Sequence, residues 1–215
     1  MKEETDRWTK AIIITLFVFF LISLYLYLRR GYYNLYIVNK VFGSVAVVLA
    51  GFTLLIRPFS QKIEKLTQFM TIRRHLGLSA FGLAMAHTVV SVIFLPSKFP
   101  LSWYQNEIVP IIFGLLAIFL WVYLAYISSN EKVRKMGVEI WKKHQSFFGK
   151  AAFLAIFLHL VAMKYQGWIN WWNGKIKATP ELANPLYPPA SIFVFIFMLV
   201  VILYRIFHFL RSKNS

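Results

Sequence analysis

Histidine is scarce in this chain: its five copies are His75, His87, His144, His159 and His208. His75 and His87 lie in a mostly apolar stretch, IRRHLGLSAFGLAMAHTVVS, residues 72 to 91, and His144 and His159 bracket a second one. Imidazole is the side chain for proton shuttling and for ligating metal near neutral pH. An ionisable group inside an apolar segment marks a candidate functional site. Along helices rising about 1.5 Å per residue, His87 stands roughly 18 Å beyond His75, and His159 roughly 22 Å beyond His144. This gives two levels of imidazole, approximately matched between two helices. Neutral imidazoles approaching at equal depth suit the two axial positions of a haem iron. Zinc is disfavoured, because no acidic residue or fourth histidine gathers at either level.

The facing of these residues follows from about 100° per residue. His144, Phe148, Ala152, Ala155 and His159 share one stripe of roughly 80°, and Arg73, Gly77, Ala80, Ala84, His87 and Ser91 make a comparable small-residue stripe. His75 falls about 120° away from His87. Small residues on a membrane helix face another helix or a cofactor. Arg73, Arg74, Lys142 and Lys143 would give haem propionates their cations. A plainer reading stands beside each: a lone histidine hydrogen-bonded to a neighbouring helix, basic pairs that set topology, and alanines that pack helices. The matched depth and facing of His87 and His159 are what favour haem. His208 reads as an interfacial residue beside Arg205 and Arg211.

These groups must be positioned by membrane helices. The 215 residues are 59% hydrophobic and 18% aromatic, above the roughly 45–50% apolar content of soluble domains. The excess sits in six runs near 11–28, 38–56, 76–95, 108–127, 146–163 and 191–209, each about long enough to cross a bilayer. The expected fold is therefore all-α, an integral membrane six-helix bundle in one domain, residues 1–215, with haem held between helices 3 and 5. The first run lacks a small-residue cleavage site and reads as an uncleaved span. Most of the 24 lysines and arginines fall at the two ends of the chain and in the connections between spans 2 and 3 and between spans 4 and 5. The positive-inside rule places both termini in the cytoplasm, in a multi-pass protein of the cell (inner) membrane. The net charge of +16 then reflects topology and contact with anionic lipid, not nucleic acid. Trp103, Tyr104, Trp168, Trp171, Trp172 and Tyr187 read as an interfacial belt. The proline-rich stretch 165–190 reads as an irregular outer loop where a partner could dock. With no cysteine, disulfides, iron–sulfur clusters and thiolate zinc sites are excluded.

Arg73-Arg74-His75-Leu76-Gly77-Leu78, with Phe81 and His87 following, resembles the third-helix motif of the ferric reductase-like transmembrane family. Within that family it is most similar to the MsrQ-type haem-binding subunit of the bacterial methionine-sulfoxide reductase system. Met136-Gly137, then Trp141, His144 and His159, resembles the family's short basic loop and histidine-bearing fifth helix, with the two histidines spaced slightly wider than usual. The resemblance covers spans 3 to 5. It implies b-type haem, held near the outer side by His87 and His159, and a second, inner haem using His144, with His75 as its candidate partner.

No Gly-x-Gly occurs in these residues, so no dinucleotide fingerprint is present. Electrons are expected from a cytoplasmic flavin reductase, a bound flavin such as FMN, or a membrane quinol. Two acceptors stay open: an extracytoplasmic reductase subunit docked on the outer loops, or ferric iron or oxygen reduced directly by a stand-alone reductase. A non-redox alternative, a channel or transporter whose histidines gate protons, also stands. No general acid or base is nominated.

Overall fold

The computed structural model describes residues 2–213. Its helices are α1 (Lys2–Arg30), α2 (Leu35–Ser60), α3 (Arg73–Val89), the short α4 (Leu101–Asn106), α5 (Ile108–Tyr126), the short α6 (Asn130–Met136), α7 (Val138–Trp172) and α8 (Ala190–Lys213). A 3₁₀ segment, Glu64–Thr71, leads into α3, and a π segment, Val90–Phe94, ends it. Six of these helices are long and apolar enough to cross a membrane, as the hydropathy pattern requires, and no strand forms among the described residues.

Local chemistry sets the boundaries. The α3 span stops at Leu95, just before Pro96, whose ring disfavours helical backbone in the preceding residue. Asn34 caps α2 by accepting from the Ile37 amide, and Ser129 caps α6 by accepting from Lys132. Gly137 joins α6 to α7 at φ +78, a conformation that side chains resist. Nothing breaks α7 for 35 residues. At about 52 Å it outruns the roughly 30 Å hydrocarbon core at both ends, well beyond the stretch that hydropathy marks.

Packing pairs the helices. α3 lies mainly on α2, and α7 mainly on α5, while α1 and α8 close the bundle against α2. The main buried cluster runs through Ile37, Val41, Val45, Leu49, Leu76, Ala80 and Met198. Gly51 permits the α2–α8 contact, since a Cβ there would stand 2.3 Å from the Phe197 ring. Large apolar side chains such as Phe17, Phe119 and Phe207 face outward, as expected where lipid is the solvent.

The two small-residue stripes take the plainer of the two roles that their sequence offers. Gly77 lies beside Thr53 of α2, while Phe148 and Ala152 pack on Leu124 and Ile127 of the α5 end. Both stripes are seams within helix pairs, where small side chains allow close backbone approach.

Candidate functional site

His87 and His159 are braced in the same way. The His87 Nδ1 donates to the Asn39 backbone carbonyl at 2.9 Å and lies 3.0 Å from the Asn39 Oδ1. The His159 Nδ1 donates to the Pro110 carbonyl at 2.7 Å. A carbonyl oxygen only accepts, so Nδ1 carries the proton, and Nε2 of the neutral ring keeps its lone pair. Among the described residues no hydrogen bond reaches either Nε2. The rings lie within electrostatic reach of each other and of Lys164.

Glycine makes both contacts possible. A Cβ on Gly43 would stand 3.3 Å from the His87 Nδ1, and one on Gly114 would stand 3.0 Å from the His159 Nδ1. Each glycine sits four residues after the accepting carbonyl: Asn39 then Gly43, Pro110 then Gly114. In an α-helix the residue at i+4 donates to the carbonyl at i. Without a side chain at i+4 that carbonyl is open to a second donor, and the imidazole takes the place. Asn39 is 2% exposed; its amide donates to the Ser91 Oγ at 2.8 Å, and Ser91 in turn donates to the His87 carbonyl.

The other histidines point elsewhere. His75 is buried against α1, its Nε2 is 2.9 Å from the Glu4 Oε1, and its ring meets Trp8 edge-on at 4.8 Å. His144 shares a short hydrogen bond between its Nδ1 and the Tyr123 hydroxyl and packs on Phe148. His208 lies 3.3 Å from the Gln61 Oε1. Arg73 donates from Nε to the Thr53 carbonyl at 2.7 Å, and Arg74 from Nη1 to the Asn130 Oδ1.

At the basic end a cavity of about 490 Å³ opens between the α2–α3 and α5–α7 pairs. Arg73 and Arg74 line it, together with Arg57, Lys142 and Arg205; His75 and His144 do not.

The donor set of His87 and His159 is of the kind that could hold a haem iron: two imidazoles, each held by its Nδ1–H and each with Nε2 directed away from its brace. The inner level does not bring two imidazoles together. Asn39, Gly43, Pro110 and Gly114 escaped the sequence reading. Asn39 alone gave a signal, as an amide just inside the second apolar run.

The sequence profile described as "ferric reductase like transmembrane component" matches residues 42–156. It takes in His87 and the inner cavity's residues on α3, α5 and α7 and ends just before His159. Two relatives are magnetosome proteins MamZ, from Magnetospirillum gryphiswaldense and Paramagnetospirillum magneticum. Each is 30% identical over 134 residues, which is 60% of this chain and 20% of the relative. The chain thus spans about a fifth of the length of these curated relatives.

Proposed function

The chain belongs to the ferric reductase-like transmembrane family, and from that premise we propose a membrane electron-transfer component in which His87 and His159 hold one b-type haem. The observation that carries this reading is the paired brace: imidazoles on α3 and α7, each with Nδ1 spent on a backbone carbonyl and Nε2 left as a ligand. A bound haem supplies one-electron chemistry whose potential the ligands and their surroundings tune.

The chain's own residues do the rest. The Asn39 and Pro110 carbonyls fix the tautomer and the ring orientation, and they raise ligand basicity. Lys164 is the cation best placed to meet a haem carboxylate at this level.

Electrons pass from the basic, cytoplasmic side outward, with both termini in the cytoplasm of an inner-membrane protein. The donor is a flavin reductase, a bound flavin or a quinol. The acceptor is an extracytoplasmic reductase subunit of the methionine-sulfoxide reductase kind, docked at the outer loop. Direct reduction of ferric iron or oxygen is the second reading, and reduction of ferric chelates by the purified chain with a flavin reductase would favour it.

Absorption spectroscopy of the purified protein tests the class. A Soret band and a reduced α-band are expected, both lost in His87→Ala and in His159→Ala. Absence of both bands in the wild type sinks the haem reading and returns the proton-gating alternative. Unchanged haem content in His159→Ala sinks the ligand assignment.

A further inference from the structure

A second pocket lies at the basic end of the bundle, on a face of α7 that turns to lipid. Its volume is about 470 Å³, and it is walled by Arg57 of α2 and by Lys142, Lys143, Phe147 and Lys150 of α7. It shares Arg57 and Lys142 with the cavity between the helix pairs, which does not reach Lys143, Phe147 or Lys150. The reason is helical phase. Lys143, Phe147, Lys150, Leu154 and Leu158 follow one another at intervals of three and four residues, so they share one face of the helix. Phe147, Leu154 and Leu158 are exposed, Phe147 to 64%, as expected of side chains that meet acyl chains.

The cations in this wall outnumber their partners. Glu139, the one carboxylate in it, is engaged by Lys142 at 3.2 Å. Among the described residues no carboxylate lies within ion-pair distance of Arg57, Lys143 or Lys150. Lys150 is the exceptional member, because it stands well inside α7, in the apolar run 146–163 and between the outward-facing Phe147 and Leu154. An ammonium at that depth is tolerated where its stem extends toward the headgroups. Side chains on a helix lean toward its N-terminus, which for α7 is the basic end. The Lys150 stem therefore leads back toward Lys143, about 10.5 Å away along the axis. Ser146, one turn before Lys150, adds a hydroxyl to the wall. Three cations without a carboxylate thus stand at one end of an apolar track.

We propose that this pocket binds an anionic phospholipid, its phosphate held by Arg57, Lys143 and Lys150 and its acyl chains laid along Phe147, Leu154 and Leu158. A lipid is favoured over a soluble anion because the cations open onto an apolar stripe that a molecule with hydrocarbon chains would cover. A net negative headgroup is favoured over a zwitterion, since choline or ethanolamine would bring a further cation into a pocket that already holds a surplus. Basic pockets between membrane helices suit such headgroups, and the fork of Arg57 matches a phosphate. Bound there, the lipid would link α7 to α2 at the basic end of the bundle.

The test uses the full chain in a neutral detergent, titrated with dioleoyl phosphatidylglycerol or dioleoyl phosphatidylcholine while native mass spectrometry reads the bound lipid. Phosphatidylglycerol is expected to fill one site at least about ten-fold more tightly than phosphatidylcholine. Lys143→Gln and Lys150→Gln are each expected to weaken it about five-fold, and the double variant about thirty-fold, as for one cation each near a membrane surface. Lys150→Arg should retain the affinity, and Lys177→Gln in the outer loop should leave it unchanged. Equal affinity for the two lipids in the wild type overturns the proposal, whatever the folding of the variants. Unchanged affinity in a folded double variant overturns it too, as does a loss in Lys177→Gln as large as that in Lys150→Gln. Displacement of bound phosphatidylglycerol by glycerol 3-phosphate also overturns it, by assigning the pocket to a soluble phosphate. None of these readouts involves haem, so failure of the haem reading would leave them in place.

Discussion

The imidazole of His159 lies against Gly114 so closely that a Cβ there would stand 3.0 Å from its Nδ1, and the carbonyl it bonds is that of Pro110, one helical turn before the glycine. His87 repeats the relation with Gly43 and Asn39. Orientation of both candidate ligands thus depends on two missing methyl groups on neighbouring helices.

Gly114→Ala is expected to push the imidazole off its carbonyl and lower haem affinity by about 10- to 100-fold, the range seen when a ligand loses its outer partner. Gly43→Ala, with its nearest approach at 3.3 Å, should cause a smaller loss. Gly82→Ala is the control, since a Cβ there meets nothing within 4 Å. Haem stoichiometry and the low-spin electron paramagnetic resonance signal check this. A normal spectrum in Gly114→Ala would show that the brace does not position the ligand.

Asn39→Ala keeps the backbone acceptor of His87 but removes the Oδ1 contact and a partner of Ser91. Haem should be retained, with stability lower by about 1–3 kcal/mol from the disrupted buried network. With less basicity on the ligand, the midpoint potential should rise by less than about 59 mV, a tenfold change for one electron. Redox titration of wild type against variant decides it; an unchanged or lowered potential would count against the assigned role.

His144→Ala and His75→Ala are expected to leave the haem of His87 and His159 in place, because these rings bond Tyr123 and Glu4, several helical turns from the braced pair. The expected cost is about 1 kcal/mol of stability per lost hydrogen bond. Quantitative haem assay of both variants checks this, and half the wild-type haem in His144→Ala would restore it as an inner ligand.

Outside the spans, the Lys98 Nζ holds the Glu181 Oε1 at 3.0 Å. The hydrogen bond and charge of Glu181 raise the Lys98 ammonium above its ordinary value, and Lys98 lowers the Glu181 carboxyl below its own. For the depressed carboxyl, the contribution is present above the ordinary value of about 4.3 and is lost as pH falls through the folded value. For the raised ammonium, it is present below about 10.4 and is lost as pH rises through the folded value. Loop 173–189 should therefore resist proteolysis best between these limits. Glu181→Gln should lower that resistance at pH 7 and match the wild type once acid has neutralised the carboxyl. A difference that persists in acid would show that the ion pair is not its source.

Much of the architecture was legible in the residues themselves. Six apolar runs dictate six spans, because a backbone in lipid must satisfy its own hydrogen bonds and needs about 20 apolar residues to do so. His87 and His159 stand out because few imidazoles enter such runs and these two lie at matching depth. Facing was only half legible: a helical wheel fixes which residues share a stripe but not which neighbour the stripe meets. The stripes through Ala84 and Ala152 proved to be pair seams, and His144 on one of them went to Tyr123. Tertiary structure alone decided the braces, since Asn39, Gly43, Pro110 and Gly114 lie about 45 to 50 residues from the histidines they serve. It also decided the inner level. Arg73 and Gln145 resemble ordinary boundary and polar positions until the antiparallel pairing of α2 with α3, and of α5 with α7, sets them on the Thr53 and Leu124 carbonyls. That register comes from side-chain packing between helices, which no single helix carries in its own sequence.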